Sequence, residues 1–204
     1  MKRAARRRLA AVARLAGGFA AGLVFWIAFR EPYERFLAAA AETVVRAAEH
    51  PAVTRLTASN GEILVERSDF PPSAPRPGLP AADVHFDFVL LAALSALDRR
   101  PLAARRVTAF LAGAAVLAGI HVMALLVEIR SLYATGLGEW SAARYGPLAR
   151  TAWAGAFHFW QIAGRFAAPF AIWWFLRDEE SEAPDRAGRS GRYGLRRRSR
   201  LKNR

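Results

Sequence analysis

Six polar side chains, His85, Asp87, His121, His158, Gln161 and Arg165, interrupt stretches of this 204-residue chain that are otherwise strongly apolar. Imidazoles and carboxylates can relay protons or ligate zinc, and a guanidinium can hold an anion. The i, i+3, i+7 spacing of His158, Gln161 and Arg165 predicts one shared helix face. Ionisable groups in an apolar environment cost several kcal/mol unless paired, so these side chains should face one another or a water-filled cavity. Arg165 lies deepest in its apolar run and most needs a partner, and Asp87 is the expected one. Two readings stay open: a polar pocket for a peptide, lipid headgroup or neighbouring subunit, and an ion-pair network that fixes helix order.

Other chemistry is thinly represented. The chain has no cysteine, which excludes a disulfide, a thiolate metal site and a thiol nucleophile. His85, His121, His158 and Asp87 are zinc-type ligands, but no H-E-x-x-H or comparable spacing joins them, so neither a metal nor another cofactor is assigned. No serine occupies a nucleophile elbow and no glycine-rich phosphate loop occurs. Composition and motif together give no positive signal for catalysis.

The elements that must position these residues follow from charge segregation. Hydrophobic residues make up 53% of the chain, yet 30 Lys and Arg stand against 17 Asp and Glu, gathered into short blocks between apolar runs. That pattern is what a bilayer selects. The reading is an all-α polytopic membrane protein with about four transmembrane helices: residues 9–29, 81–97, 107–127 and 151–176. Arg14 in the first can snorkel to the interface. The bulky sequence FWIAFREP that closes this run favours a retained anchor over a cleaved signal peptide. Gly18 and Gly22 form a GxxxG pair that would let another helix approach closely. The fourth run has 26 residues, about 39 Å of helix, so it must tilt, protrude or bend at Pro169.

Between the first two runs, residues 30–83 read as a small extracytoplasmic unit. Pro32 suits the first turn of a new amphipathic helix with Tyr33, Phe36, Leu37, Ala40 and Val44 on one face. Two β-prone runs flank Asn60-Gly61, a strong hairpin signal. A hairpin alone is marginal and must pack on something. Residues 71–83 form a Pro-rich, extended linker. Residues 98–106 are an Arg-rich loop, residues 128–150 a loop with interfacial aromatics, and residues 177–204 a disordered tail, first acidic and then basic.

Lys and Arg counts orient the chain. The segments 1–8, 98–106 and 177–204 carry nineteen, against nine in 30–83 and 128–150. The positive-inside rule then puts both termini in the cytoplasm of a bacterial inner membrane. The expected partners are the bilayer, another integral membrane protein, and anionic lipid at the basic tail; nucleic acid is the less simple reading of that tail.

The order of parts resembles the exosortase H-associated membrane proteins. It runs from an anchor through PYERFLAAAAETV, a β-prone segment, HFDFVLLAALSAL, an Arg-rich loop and ALLVEIRSLYATG to a span ending APFAIWWFL, covering most of residues 15–177. The resemblance implies a multi-pass accessory protein of a protein-sorting or envelope-biogenesis system, with no established chemistry and no functional residues to carry over. Exosortases use a cysteine nucleophile with Arg and His, which a cysteine-free chain cannot supply. The expected function is therefore a non-catalytic accessory subunit. An intramembrane enzyme or carrier using the polar cluster, and an anchor recruiting a cytoplasmic partner through its tail, are the alternatives.

Overall fold

The computed structural model describes residues 2–70, 76–98 and 102–178. The tail from 179 onward, most of the Pro-rich linker's start and the centre of the Arg-rich loop lie outside the described residues. The described chain is mostly helical. Two of its helical stretches, Ala4–Ala47 and Ala104–Gly136, are long and apolar enough to cross a membrane.

The first helix, α1 (Lys2–Ala47), runs unbroken through Pro32. The separate amphipathic helix expected to start at Pro32 is therefore the continuation of the first apolar run. An interior proline removes one backbone hydrogen bond and costs about 3 kcal/mol. Packing on both sides of Pro32 outweighs that cost. N-terminal to it, Gly18 and Gly22 lie against residues 89–96 of the second apolar run. C-terminal to it, Leu37, Ala38, Ala41 and Val45 are buried in the core. The pairs Arg30–Glu34 and Glu31–Arg35 straddle the proline one helical turn apart.

Three strands follow, β1 (Thr54–Ser59), β2 (Glu62–Arg67) and β3 (Gly78–Pro80), antiparallel in the order β1-β2-β3. Asn60 and Gly61 both have positive φ, as the tight two-residue connection between β1 and β2 requires. Alternation buries Thr54, Leu56, Ile63 and Val65 on one face. The third strand comes from the Pro-rich stretch, which at 78–80 is a strand edge and not a linker. Leu79 pairs with Ile63, and a terminal proline is tolerated at an edge.

The apolar run 81–97 divides into α2 (Ala82–His85) and α3 (Asp87–Ser95) at Phe86. The helix α4 (Ala104–Ser131) continues into a π-helical turn at Leu132–Gly136. After α5 (Glu139–Arg144), α6 (Pro147–Phe159) passes through a second π turn, Trp160–Gly164, into α7 (Arg165–Asp178). Pro169 lies within α7 without interrupting it. The departure from α-helical regularity is the π turn before it. The apolar core forms where the second half of α1, the sheet, α2 and the end of α4 meet, around Leu37, Ile63, Val84, Leu125, Ile129 and Tyr133.

Candidate functional site

Residues of α1 at helical spacing, Trp26, Arg30, Tyr33 and Glu34, project toward α2, α3 and α4 and build two polar chains around the histidines. In the first, the Trp26 indole N–H donates to His85 Nδ1 at 2.8 Å. Indole nitrogen is a donor only, so Nδ1 is the acceptor and the neutral imidazole carries its proton on Nε2. That nitrogen faces Glu34 Oε1 at 3.5 Å, and Glu34 in turn takes Arg30 Nε at 3.3 Å.

The second chain joins a carboxylate, an imidazole and a phenol. His121 Nε2 lies 2.6 Å from Asp87 Oδ1, and His121 Nδ1 lies 2.8 Å from the Tyr33 hydroxyl. Donation from Nε2–H to the carboxylate leaves Nδ1 to accept the phenolic proton. Both imidazoles are 0% exposed. The Tyr33 ring meets the rings of His85, His121 and Phe88 edge-on, and Phe88 meets His121 the same way. The result is an aromatic box, closed to bulk water, around two hydrogen-bonded histidines.

Gln161 and Arg165 belong to a separate set. Gln161 Nε2 donates to Glu128 Oε1 at 2.9 Å, while its Oε1 accepts from Arg165 Nη1 at 3.0 Å. The carboxylate of Arg165 is Asp83, at 3.7 Å, and not the expected Asp87. Asp87 is engaged with His121, and Asp83 stands one turn earlier on the approach to α7. Arg165 also needs less rescue than its depth in the sequence suggested, because its side chain is 27% exposed and that of Asp83 49%.

His158 does not join either set. It is exposed and touches the ring of its neighbour Phe157. The π turn at 160–164 lies between His158 and Arg165, so the regular i, i+7 register between them does not hold. The expected common face of His158, Gln161 and Arg165 is lost in that turn. Among the described residues, no three His, Asp or Glu side chains converge as a metal ion would need.

Gly18 and Gly22 lie on α3. A Cβ on Gly22 would stand 2.9 Å from the Ala92 Cβ, and one on Gly18 would stand 3.0 Å from the Ala92 carbonyl oxygen. The absence of side chains there lets the two backbones approach.

Sequence reasoning missed Trp26, Tyr33, Glu34 and Asp83 as members of the polar chains. The signal was present: positions 26, 30, 33 and 34 share a face of a single helix. Dividing that helix at Pro32 hid it.

A second polar centre lies at the far end of the sheet. Arg67 pairs with Glu49 and Asp69, and its guanidinium lies over the Tyr133 ring at 4.9 Å. Burial opposes the Arg67 cation, but Asp69, Tyr133 and Glu49 outweigh it and raise its proton affinity. The hydrogen bonds from Arg67 hold the Asp69 carboxyl below the usual range. Thr54 donates its hydroxyl to Glu49 at 2.8 Å and lies 2.9 Å from the Tyr133 hydroxyl. The segment just after α1, the sheet and the π turn that follows α4 are thereby tied together.

Comparison with protein-family models, curated proteins and solved structures finds no match to this chain.

Proposed function

We propose that this chain is a non-catalytic accessory subunit of a bacterial inner-membrane complex, of the exosortase-linked kind that its sequence resembles. In this reading it crosses the bilayer four times with both termini in the cytoplasm, and the sheet faces outward. The observation that carries the non-catalytic part is the enclosure of the histidine chains. His85 and His121 are 0% exposed, and each takes its partners from another helix of the same chain. Such an arrangement orders helices without offering a substrate a reacting atom. An apolar groove of about 420 Å³ between α4 and α6, lined by Val116, Gly119, Ile120, Met123, Phe159 and Trp160, supports assembly with lipid or a neighbouring helix.

The test is sorting in the source bacterium. Deleting the gene should abolish processing of proteins carrying the sorting signal, and a copy with Tyr33→Phe should restore it. Normal processing without the gene overturns the reading. The four-span topology is tested separately by single cysteines at Ser59 and Ala103 in this cysteine-free chain. Only Ser59→Cys should label from outside; external labelling of Ala103→Cys contradicts the topology.

One observation favours a second reading, an intramembrane enzyme or proton carrier. Asp87, His121 and Tyr33 form a continuous chain along which a proton could move. In that case Tyr33→Phe would fail to restore processing while leaving the protein folded and inserted.

A further inference from the structure

Where α1 ends, a cleft of about 650 Å³ opens between residues 48–53, the end of β2, the last turn of α4 and α5. Three guanidiniums line it, those of Arg67, Arg130 and Arg144, with the carboxylates of Glu49 and Asp69 and the imidazole of His50. Both carboxylates are already engaged. Glu49 accepts from Arg67 and Thr54, and Asp69 accepts from Arg67 at 2.8 Å with Arg144 at 3.5 Å. Arg144 stacks over Trp140, 4.3 Å from the ring centre. Arg130 is different: among the described residues no carboxylate lies within ion-pair reach of it. The wall therefore carries one more guanidinium than carboxylate. In the same wall the Trp140 indole N–H is buried without an acceptor among the described residues.

We propose that this cleft binds a phosphate-ester monoanion through Arg130 and Arg144, the lipid headgroup phosphodiester being its natural source. A phosphodiester carries the single negative charge that the surplus guanidinium leaves unmatched, and planar guanidiniums suit tetrahedral oxyanions. The depth of the cleft points to lipid. The apolar stretch of α4 ends at Val127, Arg130 follows one turn later, and Trp140 and Tyr145 are residues typical of the headgroup layer. That depth argument rests on α4 crossing the membrane, as in the function proposed above; the charge argument does not.

The experiment is native mass spectrometry of the full-length protein in a neutral detergent. It is titrated with phosphatidylglycerol, with phosphatidylcholine, and, in a parallel thermal-shift series, with inorganic phosphate. A second form truncated after Asp178 removes the basic tail as a competing site. Truncated protein should retain phosphatidylglycerol over phosphatidylcholine. Arg130→Gln should weaken that retention about ten-fold, the usual consequence of losing one charge-assisted contact. Arg130→Lys should keep part of it. Arg130 makes no ion pair to lose, so the Gln variant should melt with the wild type. Stabilisation by inorganic phosphate that Arg130→Gln abolishes supports the site even if the lipid series is flat, and assigns its source to a soluble ester. Equal retention by Arg130→Gln and wild type, with no phosphate effect, overturns the proposal.

Discussion

Asp87 Oδ1 and His121 Nε2 lie 2.6 Å apart, joining α3 to α4 through a contact from which solvent is excluded. Removing one partner strands the other in an apolar surround, which costs about 3–5 kcal/mol for a buried pair. Asp87→Leu or His121→Leu alone should therefore destabilise strongly. The double substitution should be milder than the sum of the two. Unfolding of the detergent-solubilised protein in a double-mutant cycle measures this, and additive losses would show the pair to be uncoupled.

Arg165 gives the contrasting expectation. Its ion pair with Asp83 is partly solvated, so Asp83→Asn should cost no more than about 1 kcal/mol. Gln161→Leu should cost more, because it removes the amide that donates to the buried Glu128 carboxylate. The same unfolding assay ranks the two, and a reversed order would mean that Arg165 and not Gln161 carries this set.

Gly22→Leu should disrupt the α1–α3 contact, since a Cβ there already meets Ala92 at 2.9 Å. Overpacking of this kind costs about 1–3 kcal/mol. Unfolding of the detergent-solubilised protein measures the loss, and a Gly22→Leu variant as stable as the wild type would show that the two helices do not depend on this approach.

The sheet end should loosen in acid. Asp69 has a proton affinity lowered in the folded protein from its ordinary value of 3.8. Its contribution is thus present above that value and is lost as pH falls through the lower folded value. Arg67 and Arg144 face this carboxylate, and Glu49 shares the Arg67 guanidinium with it. Asp69→Asn should remove this part of the acid dependence, measured as hydrogen exchange of the β2 amides in the wild type and variant between pH 5 and about pH 2.5. Identical acid profiles for the two would rule the effect out.

Periodicity and charge are local signals, and they locate elements from neighbours in sequence alone. The apolar run of 107–127 lies inside α4, and Asn60-Gly61 sits between two paired strands. The errors came from competition between local rules and packing. Pro32 is a helix start by its own preference, yet buried contacts on either side hold α1 through it. The segment 78–80 is Pro-rich and would be extended anywhere, but only the free edge of β2 makes it a strand. Phase was lost at 160–164 because a π turn has no reliable sequence signature, and His158 went with it. For Arg165, which meets Gln161 and Asp83 in the structure, the sequence asked for a partner. It could not choose between Asp83 and Asp87, which share a helical face one turn apart, because that choice depends on His121, 34 residues beyond Asp87.

The continuity of α1 also has a mechanical meaning. At the usual rise, 46 helical residues extend about 69 Å, more than twice the ~30 Å of a hydrocarbon core. α3 meets this helix near its middle, at Gly18 and Gly22, and the sheet packs on its C-terminal part. In the topology proposed above, more than half of α1 therefore lies outside the hydrocarbon core, and the sheet stands off the bilayer by a distance that the length of this one helix sets.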